Sequence, residues 1–227
     1  NNTISLNVMN ANTGPGIHFQ TGSTGNTVTQ NRISGNTQSG IEVASGATTN
    51  TLSQNAIFGN ARIGIDLLST AQGGTPASPY YTQNDNGDGD TGGNDLLNFP
   101  QITGATVSGG NLIITGIAPQ GAAIEFFISD SDSSGFGEGQ TYLVTLTQGS
   151  GSDSASGTSA NTVTCGAGAV SVTMYNFSFS IPLPGGVTGG TSITSTATVG
   201  GNTSEFSCNA TVVMPLPALT FLKTVAV

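Results

Sequence analysis

The sequence has very few positive charges. Only three of its 227 residues are Lys or Arg, against twelve Asp or Glu, and the formal net charge is -9 at pH 7. The three cations are Arg32, Arg62 and Lys223. Because nucleic acids and anionic membranes are bound by clustered cations, neither is expected as a partner.

The chain also lacks Trp, is 7% charged, and has no apolar run long enough to span a bilayer. Its longest apolar stretch, residues 212–227, is interrupted by Pro215, Pro217 and Lys223. Gly, Ser, Thr and Asn are abundant instead, with 34 Gly alone. This balance is typical of an all-β secreted protein, so we expect an extracellular or cell-surface location.

Residues 2–67 repeat every 24 positions without an insertion. Apolar residues alternate with polar ones inside each copy, as in a short strand with one buried face. The repeat therefore predicts a solenoid over residues 1–72 whose coils each contribute three short strands, parallel and in register with the next coil. Six positions are identical in all three copies: Asn2/Asn26/Asn50, Thr3/Thr27/Thr51, Asn7/Asn31/Asn55, Asn12/Asn36/Asn60, Gly16/Gly40/Gly64 and Ile17/Ile41/Ile65.

The invariant residues suggest how the coils stack. We expect the asparagines to occupy turns in the αL conformation and to pass side-chain hydrogen bonds along the stack. The glycines are expected at tight corners. The pattern N-T-aliphatic-S/T-x-N followed by G-I-x-aliphatic resembles the right-handed parallel β-helix repeats of the pectate-lyase-like superfamily, and crossover connections favour the same handedness.

His18, Glu42 and Asp66 share one outward position of the repeat. They form either a solvated face or a binding stripe. Glu42 and Asp66 are one coil apart, close to the roughly 5 Å between the carboxyl groups of retaining glycosidases. The alternative to a structural role is therefore a carbohydrate-binding or carbohydrate-cleaving β-helix.

An Asp- and Gly-rich segment, residues 73–98, follows the repeat. Its spacing echoes a calcium loop with Gly89 at the sharp turn, although the first position is Asn and the last is Asp rather than Glu. It is either a calcium site or a solvated acidic linker. The predicted ligands are Asn84, Asn86, Asp88, Asp90 and Asp95. A second acidic stretch, Asp130 to Gly139, offers Asp130, Asp132 and Ser134 for an ion, but it lies between two predicted strands and a hairpin turn rich in Gly and Ser explains it better, without any metal.

Residues 99–214 predict an Ig-like antiparallel β-sandwich of short strands separated by Gly-rich turns. The residues 149–160 are expected to be a flexible loop. Cys165 and Cys208 fall at inward positions and form either a disulfide or two buried thiols. The expected strands are 102–107, 111–117, 123–129, 141–147, 170–174, 176–181, 191–198 and 205–213.

The sandwich segment carries a second resemblance. LLNFPQI at 96–102, IEFFISDSDSSGFGEGQTYL at 124–143 and TATVGGNTSEFS at 196–207 resemble segments of large bacterial surface proteins, in which β-helix repeats run into an Ig-like module. This resemblance implies secretion and a modular architecture.

Both ends of the chain invite a partner. The first coil exposes strand edges, and residues 215–227 form either a cut end or a strand that completes another sheet through Leu219, Phe221, Val225 and Val227. We therefore expect a non-catalytic extracellular structural protein: a filament, stalk or adhesin subunit that binds other copies of itself or further modules of a longer chain.

Overall fold

The computed structural model describes residues 1–69, 80–130, 134–165 and 168–215, with side chains described throughout except at 163–165 and 168–170. The regular elements in these ranges are β-strands and one four-residue 3₁₀ helix, Gly93–Leu96. None of the described helical residues forms a helix long and apolar enough to cross a membrane.

Residues 1–69 form the predicted parallel β-helix. The first coil contains β1 (Thr3–Ser5), β2 (Val8–Asn10) and β3 (Ile17–Phe19). The second contains β4 (Thr27–Thr29), β5 (Arg32–Ser34) and β6 (Ile41–Val43), and the third β7 (Thr51–Ser53), β8 (Ala56–Phe58) and β9 (Ile65–Leu67). They stack as three parallel sheets, β1-β4-β7, β2-β5-β8 and β3-β6-β9. The register is 24 residues throughout, as in Ile4 to Val28 to Leu52.

The asparagine ladders are confirmed. Asn26 Oδ1 accepts hydrogen bonds from the backbone N and the Nδ2 of Asn2, both at 3.0 Å. In another ladder, between the second and third coils, Asn60 Oδ1 accepts from the backbone N and Nδ2 of Asn36, at 3.1 and 2.7 Å. Each ladder asparagine of the first two coils therefore ties both its backbone and its side chain to the same position of the next coil.

The predicted αL conformation of these asparagines is wrong. Positive φ occurs at the residue before the ladder position, for example 60° at Leu6 before Asn7 and 55° at Gln30 before Asn31. The preceding residue makes the corner, so asparagine is required at the ladder position for its amide.

The invariant glycines are required for space and not for a positive φ. A Cβ on Gly40 would lie 2.5 Å from Cγ2 of Ile57 and 2.6 Å from the carbonyl oxygen of Gly64. Gly16 makes equally close contacts one coil earlier. At these two glycines, successive coils approach so closely that only a hydrogen atom fits in place of a side chain.

The remainder forms two antiparallel sheets packed as a sandwich. One has the order β10-β11-β15-β14, and the other β13-β12-β16-β17, with β18 also pairing β16. Their shared core includes Leu112, Ile114, Phe126, Phe177 and Phe179. The strands are β10 (Gln101–Ser108), β11 (Asn111–Ala118), β12 (Ala123–Ser129), β13 (Gly139–Thr147), β14 (Thr158–Cys165), β15 (Gly168–Pro182), β16 (Ser192–Val199), β17 (Asn202–Thr203) and β18 (Ala210–Thr211).

Three details differ from the sequence prediction. The expected strands 170–174 and 176–181 are one strand, β15, and β14 begins at Thr158 inside the expected loop. The expected strand 205–213 is wrong, because only Ala210–Thr211 pairs with β16. Glu205 and Phe206 contact the β-helix instead, whereas Ser207 stays hydrogen-bonded to Ser195 of β16. The sandwich is thus established, while its Ig-like assignment stays a prediction.

Candidate functional site

The sandwich covers the end of the β-helix with carboxylates. In a parallel stack, the last coil has backbone N–H groups with no further coil to accept them, and leaving such groups buried and unpaired is costly. Here four acidic side chains accept from four of them. These side chains, which we name the carboxylate cap, are Glu125 (from Gln54 N, 2.7 Å), Asp130 (from Gly59 N, 2.9 Å), Glu138 (from Asn60 N, 2.8 Å) and Glu205 (from Leu67 N, 2.9 Å).

Two asparagine ladders end in this junction. Glu138 takes the place of a fourth asparagine, because its Oε1 also accepts from Asn60 Nδ2, at 2.6 Å. In a second ladder Asn94 Oδ1 accepts from Asn50 N at 3.0 Å, and Asn94 Nδ2 donates to Asn50 O at 2.8 Å. Asn94 lies in the 3₁₀ helix at φ 45°. At Asn60 the junction therefore supplies both hydrogen bonds that a fourth coil would make, and at Asn50 it supplies the one from the backbone N.

An apolar contact joins the two parts beside the cap. Phe127 and Phe206 pack with the apolar residues of the β-helix. Their two rings meet edge to face, with ring centroids 5.5 Å apart. A Cβ on Gly64 would lie 2.8 Å from the Phe206 ring. The third glycine of the repeat thus accommodates the sandwich instead of another coil.

Burial dominates the electrostatics of the cap. It raises the pKa of Glu138 to about 8, although the hydrogen bonds from Asn60 oppose the shift. It also raises the pKa of Glu125, and raises that of Glu205 well above its usual range. A charge in this dry environment is costly, so the folded protein retains protons that an exposed carboxyl would release.

The outward position of the repeat is not the solvated stripe that the sequence allowed. His18 is partly exposed, with 44% of its side chain accessible, and its Nε2 lies 3.4 Å from Glu42 Oε1. Glu42 is only 6% exposed and Asp66 is fully buried. Burial, together with the charge of Glu42, raises the pKa of Asp66 to about 7. A glycan cannot reach this pair of carboxyl groups in the folded chain.

In the acidic loop, the carboxyl groups that lie close together are only partly the predicted calcium ligands. Carboxylate oxygens of Asp88 and Asp90 lie with one of Asp85 in a group whose atoms are within 4.8 Å of one another. Burial raises the pKa of Asp88 and of Asp90, and Asp85 adds to both shifts. Asp85 was missed because counting from Asn84 places it at a non-ligand position.

The other three predicted ligands make contacts elsewhere. Asn84 Oδ1 accepts from Phe99 N at 2.9 Å, and Asn86 Oδ1 accepts from Thr173 N at 2.8 Å. Asp95 Oδ2 accepts from Asn202 Nδ2 at 2.8 Å. Calcium binding by this loop stays a prediction, with Asp85, Asp88 and Asp90 as the residues that the fold brings together.

The remaining predicted sites are placed only in part. Asp130 belongs to the carboxylate cap, and Ser134 Oγ accepts from Phe136 N at 3.1 Å. Asp132 lies outside the described residues, as do the side chain of Cys165 and the assembly residues Leu219, Phe221, Val225 and Val227. The disulfide with Cys208 and the role of the terminal strand therefore stay predictions.

The sequence did carry a signal for the cap. Glu125, Glu138 and Glu205 are the acidic residues of the segments EFF, GEGQ and NTSEFS. Glu125 interrupts the apolar strand AIEFFIS and is only 5% exposed. An acid embedded among large apolar residues indicates a buried acceptor, but the sequence does not show which donors it meets.

Comparison with known proteins agrees with the architecture of the first coils. No curated protein sequence matches the chain. Residues 1–77, about a third of the chain, match the family model described as a right handed beta helix region. The N-terminal part of this protein is therefore similar to right-handed β-helix regions, a class defined by its fold.

Proposed function

We propose that this chain is a non-catalytic structural part of an extracellular surface protein, a filament, a stalk or an adhesin. The observation that supports this most is the junction. The chain commits Glu125, Asp130, Glu138 and Glu205 to one end of the β-helix, where they provide rigidity and not access to a substrate.

The two ends of the β-helix differ. The third coil lies under the sandwich, so a second copy cannot stack its β-helix there. The first coil carries exposed apolar side chains: Leu6 is 78% and Val8 67% exposed, and Ile4 and Met9 are half-buried. We assign assembly, with another copy or with further modules, to this first coil and to residues 215–227, whose Leu219, Phe221, Val225 and Val227 would add a strand to a partner sheet.

Burial of Glu42 and Asp66 supports the non-catalytic role. The carbohydrate-cleaving alternative rested on these two carboxyl groups, which a sugar cannot reach without unfolding the coil. The expected result is that a panel of neutral and acidic glycans neither raises the melting temperature nor is cleaved. Turnover of any glycan would contradict the proposal.

Loop residues 85–90 have a supporting role in the same proposal. A calcium ion held by Asp85, Asp88 and Asp90 would neutralise three clustered charges next to the junction. Calcium would then stiffen the connection between the β-helix and the sandwich.

Negative-stain electron microscopy and light scattering of the purified chain test the assembly. We expect concentration-dependent oligomers or fibres that are lost in the Leu6→Glu/Val8→Glu variant and on deletion of residues 219–227. Val213→Glu is the matched control, because Val213 is 57% exposed on the sandwich. A wild-type chain that is monomeric at every concentration would reject self-assembly. Equal loss in the Val213 variant would reject the assignment to the first coil.

A further inference from the structure

The four oxygen atoms of Glu42 and Asp66 have unequal surroundings. Glu42 Oε1 faces His18 Nε2 at 3.4 Å, and Asp66 Oδ2 accepts from Ser39 Oγ at 3.1 Å. The other two atoms, Glu42 Oε2 and Asp66 Oδ1, are buried and have no hydrogen-bond partner among the described residues. Each carboxyl group is therefore half satisfied.

The fold places these two groups side by side. Glu42 on β6 and Asp66 on β9 are directly paired in a parallel sheet, where neighbouring strands are about 4.8 Å apart. Two ionised carboxyl groups at such a distance in a dry site repel strongly, which favours a single charge on the pair.

We propose that Glu42 and Asp66 bind a single proton between them, forming a carboxyl–carboxylate hydrogen bond that joins the second and third coils. The proton resides on Asp66 Oδ1 and is donated to Glu42 Oε2. All four oxygens are then satisfied, and one negative charge remains on Glu42, which faces the partly exposed His18.

The neighbouring charges agree with this assignment. Arg62 acts on Asp66 in the opposite sense to Glu42. Burial raises the pKa of the neighbouring Glu205, and the charges of Asp66 and Asp90 act on it in the same direction. Burial as the largest cause, with the charge of Glu42, raises the pKa of Asp66 to about 7. Loss of the shared proton would leave two adjacent buried anions next to Glu205.

The proton has a consequence for the solenoid. At this position it takes the role that the Nδ2 hydrogen plays in the asparagine ladders, because it links equivalent side chains of successive coils. The link is intact in acid and is lost as the pH rises through neutrality.

The test is a ¹³C NMR titration of labelled Asp and Glu carboxyl carbons from pH 4 to 9. We expect the signals of Glu42 and Asp66 to move together as about one proton is released near neutral pH. In Asp66→Asn, an amide NH₂ replaces the proton permanently, so the fold is kept and this shared step disappears. In Glu42→Gln the midpoint of Asp66 moves to lower pH.

Controls separate this pair from other groups. Glu138→Gln removes another buried carboxyl and leaves the coupled titration in place. Independent titration of both groups at ordinary values would overturn the proposal, as would a step near neutral pH in the Glu42 signal that persists in Asp66→Asn. A step seen only after treatment with chelator would show a metal ion in place of the proton, which also rejects it. Should Asp66→Asn not fold, the wild-type and Glu42→Gln titrations decide.

Discussion

Glu138 offers the sharpest test of the junction, because it receives both donors of one ladder asparagine, Asn60. Replacing it with Ala removes the acceptor of Asn60 N and of Asn60 Nδ2. Asn60 is 6% exposed and Glu138 fully buried, so water does not readily replace the lost carboxyl. Each buried donor left unpaired costs about 1–3 kcal/mol. We therefore expect Glu138→Ala to lower the free energy of unfolding by about 4 kcal/mol.

For a chain of this size a loss of 1 kcal/mol lowers the melting temperature by about 2–4 °C. The expected decrease in melting temperature for Glu138→Ala is thus roughly 10 °C, measured by calorimetry. The loss of free energy of unfolding is measured by urea unfolding followed by circular dichroism. Gln140→Ala is the control, since Gln140 is an exposed residue of the same strand, β13. We also expect hydrogen exchange to accelerate most at the amides of the third coil.

Two results would refute this reasoning. Glu138→Ala within about 0.5 kcal/mol of the wild type would mean that the cap contributes little, which is the scale of an ordinary surface substitution. An equal loss in Gln140→Ala would place the effect in β13 and not in the hydrogen bonds to Asn60.

Further predictions concern pH, packing and calcium. Because the folded-state pKa of Glu138 is raised from 4.5 to about 8, the folded protein binds the extra proton between these values, and stability should fall as the pH rises from about 5 to 8. The slope is at most about 1.4 kcal/mol per pH unit for this group, and urea titrations should show a shallower slope in Glu138→Gln. Gly40→Ala should lower the free energy of unfolding by about 1–3 kcal/mol through its contact with Ile57, whereas Gly14→Ala, which meets nothing within 4 Å, should be neutral. A melting temperature unchanged in Gly40→Ala would contradict the packing argument. Calcium should raise the melting temperature of the wild type and have no effect on Asp90→Asn; an equal response in both would reject the site.

The repeat was the most predictable part of the fold. Identity every 24 residues specifies the strands, their register and the ladders of Asn7 and its equivalents. It does not specify backbone angles, and the αL residue is the variable one before the asparagine, such as Leu6 or Gln30. The position with the strict amide requirement is conserved between coils, whereas the corner accepts several side chains.

The junction was much less predictable, because it depends on contacts between distant segments. Glu205 meets Leu67, 138 positions earlier in the chain, and so departs from the strand that its neighbours Phe206 and Val212 suggested. Glu42 and Asp66 were expected at the surface because alternation places them outside the β-helix. The alternation is correct, but it cannot show that other parts of the protein cover that face.

The cap has a consequence for how length is encoded in this architecture. The cap binds ladder positions that occur in every coil. The contacts of the sandwich therefore depend on the side chains of the last coil and not on the number of coils before it. Duplicating residues 26–49 would move the sandwich about 4.8 Å further along the axis while keeping its ladder partners. The length of such a rod is then adjustable in units of one coil, without redesign of its end.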